Sequence, residues 1–118
     1  MSTDLTSESS KPAPPAPTIH EAERASGASG AILYGAEIGF DVAVARRQAG
    51  EDVVVRGDDT SVNRRQAGEI EAAVGPCYRS DPHRRAGPLA LPHWQQNQAP
   101  PEGHTFYETS NRKARRKP

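Results

Sequence analysis

Asp52-Val53-Val54-Val55-Arg56, bounded by Gly50 and Gly57, constrains this chain more than any other segment. Three consecutive β-branched residues are too apolar for a strand buried on one face only, so the run predicts a central strand covered on both sides. Little else is available to cover it. Leu, Ile, Val and Phe number 4, 4, 7 and 2, giving 17 of 118 residues, below the roughly 20% at which disorder competes with folding. The 15 basic and 15 acidic residues cancel, so no overall repulsion holds the chain open. One small domain with unfolded ends is expected, which excludes large enzymes, membrane channels and repeat arrays. The single cysteine, Cys77, excludes an internal disulfide framework.

Around the valine run the pattern predicts two helices. From Ala31 to Ala49 a stripe of Leu33, Ala36, Phe40, Ala43 and Val44 opposes Glu37, Asp41 and Gln48, the spacing of a helix that stops at Gly50. Gly35 and Gly39 weaken that helix by about 1 kcal/mol each, so a neighbour is expected to approach closely across them. After the strand, Gly57 to Ser61 offer turn and N-cap chemistry, and Ala67, Ile70, Ala73 and Val74 form the buried stripe of a second helix, closed by Gly75-Pro76. Beyond Pro76 the periodicity dissolves, apart from a short strand at His93 to Gln96 and an alternating strand at His104 to Glu108. The fold class is α+β, two helices packed on a small sheet.

Residues 1–28 read as a disordered Ser/Pro-rich tail containing Pro12-Ala13-Pro14-Pro15-Ala16-Pro17, residues 29–110 as the domain, and residues 111–118 as a basic tail. No signal peptide or membrane span is recognisable, since the apolar stretch Ala31 to Val44 is interrupted by Glu37 and Asp41. As written the chain reads as cytoplasmic, with export as the passenger of a specialised secretion system left open.

Zero net charge hides an asymmetry. Residues 1–78 carry 7 basic and 12 acidic residues, and residues 79–118 carry 8 and 3, so an acidic half is joined to a basic one. The basic half also holds three of the four histidines. His83, His93 and His104 follow Pro82, Pro92 and Gly103, residues that exclude helix and present the imidazoles from extended turns. Alternation places His104 on the face shared with Phe106, with Thr105 and Tyr107 on the other.

Histidines flanked by arginines suit metal-free cleavage of a phosphodiester. One imidazole takes the 2′-hydroxyl proton, a second protonates the leaving oxygen, and Arg84 or Arg85 stabilises the phosphorane. No cofactor is required. Arg84, Arg85, Arg112 and Lys113 are candidates for holding phosphates, and Trp94 for stacking on a base or filling the core. An alternative is a divalent metal on these histidines with Asp58, Asp59 or Asp81, although the spacing matches no close-set metal motif. Asp58 and Asp59 sit where a strand ends and a helix begins, and serve equally well as a helix-capping turn.

The phrases Val53-Val54-Val55-Arg56-Gly57-Asp58-Asp59, Asn63-Arg64-Arg65 through Ile70-Glu71, Val74-Gly75-Pro76, Pro82-His83, Ala86-Gly87-Pro88, Leu91-Pro92-His93-Trp94 and Gly103-His104-Thr105-Phe106-Tyr107-Glu108 together resemble the bacterial polymorphic toxin type 24 domain, over roughly residues 45 to 116. The Gly-His-Thr-Phe-Tyr phrase, with the preceding Pro-His and aromatic, is its most distinctive part. The resemblance implies a C-terminal toxin domain used between competing bacteria, a nuclease of small α+β fold, with nucleic acid as substrate and a cognate immunity protein as partner. It carries over His83, His93 and His104 as site residues, with Thr105 and Tyr107 as neighbours of the last. A metal-independent ribonuclease is the expectation. A non-catalytic interaction protein, such as an inactive toxin relative or a neutralising partner, and a metal-dependent DNase are the alternatives.

Overall fold

The computed structural model describes residues 16–118; the expected tail over residues 1–15 lies outside them. Seven strands and two helices follow in the order β1 Thr18–Arg24, β2 Ile32–Ile38, α1 Phe40–Gln48, β3 Val53–Arg56, α2 Thr60–Val74, β4 Cys77–Ser80, β5 His93–Gln96, β6 Thr105–Tyr107 and β7 Arg115–Arg116. All strands join one sheet, ordered β4-β5-β6-β3-β1-β2-β7. It is mixed: β3 runs parallel to β6 and β2 parallel to β7, and the remaining pairs are antiparallel. The fold is α+β.

The valine strand lies at the middle of this sheet, and all three valines are fully buried. Val53 and Val55 face the helices, packing with Ala43 of α1, Ala67 and Ile70 of α2, Ile19 and Tyr107. Val54 faces the opposite side with Ala22, Ile32, Leu91, Phe106 and Ala114. The second layer over that side is not a helix. It is the long connection from β4 to β5, which delivers Leu91, and the C-terminal segment, which delivers Ala114.

Helix α2 starts where the sequence places it. The Asp59 side chain accepts a hydrogen bond from the Val62 N–H at 3.1 Å, the N-cap interaction. Its Asn63 is buried and donates to the Gly57 and Glu108 carbonyls, tying the helix start to the ends of β3 and β6. The other end of α2 meets α1 through a fully buried ion pair, Arg47 with Glu71.

The helix expected over 31–49 is a strand followed by a nine-residue helix. The reason is a β-bulge. Pairing with β1 shifts by one residue on β2 between His20↔Glu37 and Ala22↔Tyr34. Ile32 and Tyr34 therefore pack on the loop-covered face, whereas Ile38 packs with the helix-side core. A bulge breaks the period of two, and its broken pattern imitates a helical stripe. The close approach expected at Gly35 and Gly39 is absent: a Cβ would meet nothing nearer than 3.5 Å at Gly35 and nothing within 4 Å at Gly39.

Two boundaries also move. Residues 18–24, expected within the N-terminal tail, form β1, which pairs with both β2 and β3 near the centre of the sheet. Only Ile19 and Ala22 are buried apolar residues there, so backbone pairing rather than hydrophobic pattern fixes this strand. Residues 111–118, expected as a free basic tail, include β7, and the Ala114 N–H donates at 2.9 Å to the buried Glu108 carboxylate.

Candidate functional site

On the loop-covered face, β5 and β6 run antiparallel with His93 opposite Phe106. His104 immediately precedes β6, and its backbone is held on both sides. The His104 N–H donates to Asp52 Oδ1 at 2.8 Å, and its carbonyl accepts from Val53 at 3.1 Å. Gly103 before it has φ +93°, and a Cβ there would lie 2.8 Å from the Arg47 guanidinium, so this turn requires glycine. Arg47 in turn donates to the Glu102 and Gly103 carbonyls, at 2.8 and 3.0 Å.

The result is a tight aromatic cluster. The His93 and His104 ring centroids are 4.2 Å apart in an edge-to-face arrangement, and His104 stacks on Phe106 at 5.4 Å. Arg24, the last residue of β1, reaches in from the side. One guanidinium nitrogen is 2.7 Å from His104 Nδ1, and Nε donates to Asp52 Oδ2 at 3.1 Å. His83, carried by the loop, completes the walls of the same recess, a cavity of about 300 Å³.

The hydrogen bonds assign the tautomers. A guanidinium only donates, so His104 Nδ1 accepts from Arg24 and the ring proton sits on Nε2. His93 Nε2 lies 3.0 Å from the Gln95 side-chain oxygen, so it carries the proton and donates. That leaves His93 Nδ1 buried and without a well-aligned hydrogen-bond partner among the described residues, with the Leu91 backbone set against the ring. The His93 lone pair is therefore enclosed, and the His104 Nε2–H is the donor of the pair.

Both rings favour the neutral form. Burial is the main cause for each and pushes His93 below the usual histidine value. His104 is pushed down to about 4, first by burial and then by the neighbouring His93 and Arg24.

The remaining residues singled out from the sequence divide sharply. Arg84, Arg85 and Arg112 line an open cleft of about 770 Å³ that shares Pro82 and His83 with the recess. Thr105 and Tyr107 lie on the helix side of the sheet, away from the histidines. Thr105 is fully buried and donates to Glu71 at 2.6 Å, and the buried Tyr107 hydroxyl accepts from Arg79 at 3.3 Å. Trp94 is also on the helix side, flat against Gly68, with its indole N–H on the Arg64 carbonyl at 3.0 Å. These three are packing residues. Lys113 donates to the Gly57 carbonyl at 3.0 Å and pairs loosely with the exposed Asp58, while Asp59 is the α2 cap. Among the described residues no three His, Cys, Asp or Glu side chains gather as a metal site.

Arg24 and Asp52 join the cluster without a functional motif of their own in the sequence. Asp52 borders the valine strand and is recognisable as a flanking residue. Arg24 carries no signal, since it comes from a strand with almost no apolar pattern, 80 positions from His104.

Comparison of the chain with protein-family models, with curated proteins and with solved structures gives no match. No helix among the described residues is long and apolar enough to cross a membrane.

Proposed function

We propose that this chain is a nuclease-like bacterial toxin domain that cleaves RNA without a metal. The observation that carries the reading is the contact of His93 and His104, 4.2 Å between ring centroids, with Arg24 beside them in a recess that shares Pro82 and His83 with an arginine-lined cleft. Cleavage by transesterification needs a base, a proton donor and a fixed cation. A neutral histidine of the cluster takes the 2′-hydroxyl proton, the 2′-oxygen attacks phosphorus, and the bond to the 5′-oxygen breaks to leave a 2′,3′-cyclic phosphate. The His104 Nε2–H and the Arg24 guanidinium face the charge that develops on the phosphorane, and His83 at the mouth of the recess supplies the proton to the leaving oxygen.

The resemblance to the polymorphic toxin type 24 domain points the same way and adds an immunity protein as the expected neutralising partner. Purified protein is expected to degrade total RNA in EDTA, leaving cyclic phosphate ends, and His104→Ala to abolish this. Degradation only after adding a divalent cation would replace the proposal with a metal-dependent nuclease. Intact RNA and DNA under both conditions, with normal bacterial growth on expression, would replace it with a non-catalytic interaction protein.

A further inference from the structure

The histidine recess and the arginine cleft meet at Pro82 and His83 and differ in chemistry. Beyond its histidines and Arg24, the recess is walled by apolar side chains, chiefly Ile32, Leu91 and Phe106. At about 300 Å³ it lies at the small end of ligand pockets. The cleft is cationic and uncompensated. None of Arg84, Arg85 and Arg112 enters a salt bridge with a described residue. Its carboxylate, Asp81, is taken by Arg79 at 2.7 Å. Arg112 is held in place by its bond to the Ala90 carbonyl at 2.9 Å.

A ligand that satisfies only the cleft leaves the recess unfilled, and an apolar ligand that satisfies only the recess leaves three cations without an anion. A chain of phosphates bearing flat, largely apolar bases satisfies both. The recess admits one base that has left its stack and has no room for a paired one.

We infer that the two cavities are a single binding site for single-stranded RNA, with one unstacked nucleoside in the recess and the adjoining phosphates along Arg84, Arg85 and Arg112. The choice of RNA rests on reading the histidine pair as a ribonuclease centre; the single-strand preference rests on the shape and charge of the two cavities.

The test uses the full chain and a fluorescent 2′-O-methyl RNA, which lacks the attacking hydroxyl and stays intact, with binding followed by anisotropy. The single strand is expected to bind about tenfold tighter than its duplex, the order of one base stacking or burial contact. Arg84→Ala with Arg85→Ala is expected to weaken binding and to flatten the plot of log affinity against log salt by about 0.7 per lost phosphate contact. Ala86→Trp, at an exposed position on the recess wall, is expected to erase the strand preference and keep the salt slope. Equal affinity for duplex and single strand, or indifference to both variants at an unchanged thermal midpoint, overturns the inference. Single-strand binding as described, with cleavable RNA surviving in EDTA, leaves this site standing and removes the ribonuclease reading. Cleavage in EDTA without strand preference does the reverse.

Discussion

His104 is difficult to protonate. With burial, His93 and Arg24 holding it at about 4, the His104 ring stays neutral through mildly acidic pH, and burial pushes His93 below its ordinary value as well. In the ribonuclease reading a neutral histidine of this pair is the base, so the acidic limb of kcat/KM is expected below pH 6.5, the ordinary histidine value. A limb at or above that value would remove the pair from the role. The same shifts carry a stability consequence. Because the folded values are lower than the unfolded ones, the unfolded chain binds protons that the folded chain does not. Stability is therefore full above about pH 6.5 and is lost as pH falls toward 4. Because His104 is only partly buried, its share is about 1–2 kcal/mol after screening. Urea titrations of His104→Gln, which keeps an acceptor for Arg24, are expected to show a shallower acid limb than wild type. Superimposable limbs would refute the assignment. The sequence exposed these histidines through their Pro and Gly predecessors, and their meeting in one recess depends on a sheet order that no local pattern contains. Arg24 illustrates the limit: a charged residue at the end of a polar-looking strand becomes a site residue only through pairing 80 positions away.

At the level of elements, the valine strand and α2 were legible because each is specified by its own residues. Three adjacent valines demand two covered faces, and Asp59 with the stripe through Ala67 and Ile70 writes a capped amphipathic helix. Strand β2 reads as helix because the bulge that couples it to β1 scrambles the alternation, and β1 carries no strand signal because only two of its apolar side chains are buried. The helices are joined to the site by a polar device that the sequence does not announce. Arg47 on α1 is fully buried, pairs with Glu71 on α2, and bonds the carbonyls of Glu51, Glu102 and Gly103. Glu71 also accepts from Thr105 and Gln96. Removing one partner leaves a buried charge with nothing to balance it, so Arg47→Met is expected to cost about 3–5 kcal/mol in denaturant unfolding. Arg47→Met with Glu71→Met is expected to recover part of that loss, though not all, because the three carbonyls remain unpaired. A double variant less stable than the single one would show that the pair is not the source. Asp59→Ala gives a smaller comparison, about 1 kcal/mol for a lost N-cap, with no reach into the recess.

Across the whole molecule, the two oppositely charged halves turn out to be laced together. Arg56 with Glu108, Lys113 with Asp58 and Lys117 with Glu23 each join a residue before position 79 to one after it. The exposed pairs contribute little singly, but the buried Glu108 carboxylate is different in kind. It takes Arg56 Nε at 3.0 Å, the Gly57 N–H at 3.1 Å and the Ala114 N–H at 2.9 Å, closing the C-terminal segment onto the end of β3. The basic segment thus has two tasks: it covers the Val54 face through Ala114 and supplies Arg112 to the cleft. Removal of residues 111–118 is expected to cost stability and RNA binding together, with about 2–4 kcal/mol lost from an unsatisfied carboxylate, an exposed core edge and the missing β7 pairing. The two effects separate with Arg112→Gln, which keeps the strand, the Ala114 contact and a donor. Full stability with weaker RNA binding in that variant would locate the binding contribution in the side chain. Unchanged binding in both the truncated chain and Arg112→Gln would mean that the cleft does not extend to the C-terminal segment, and that its phosphate contacts end at Arg84 and Arg85.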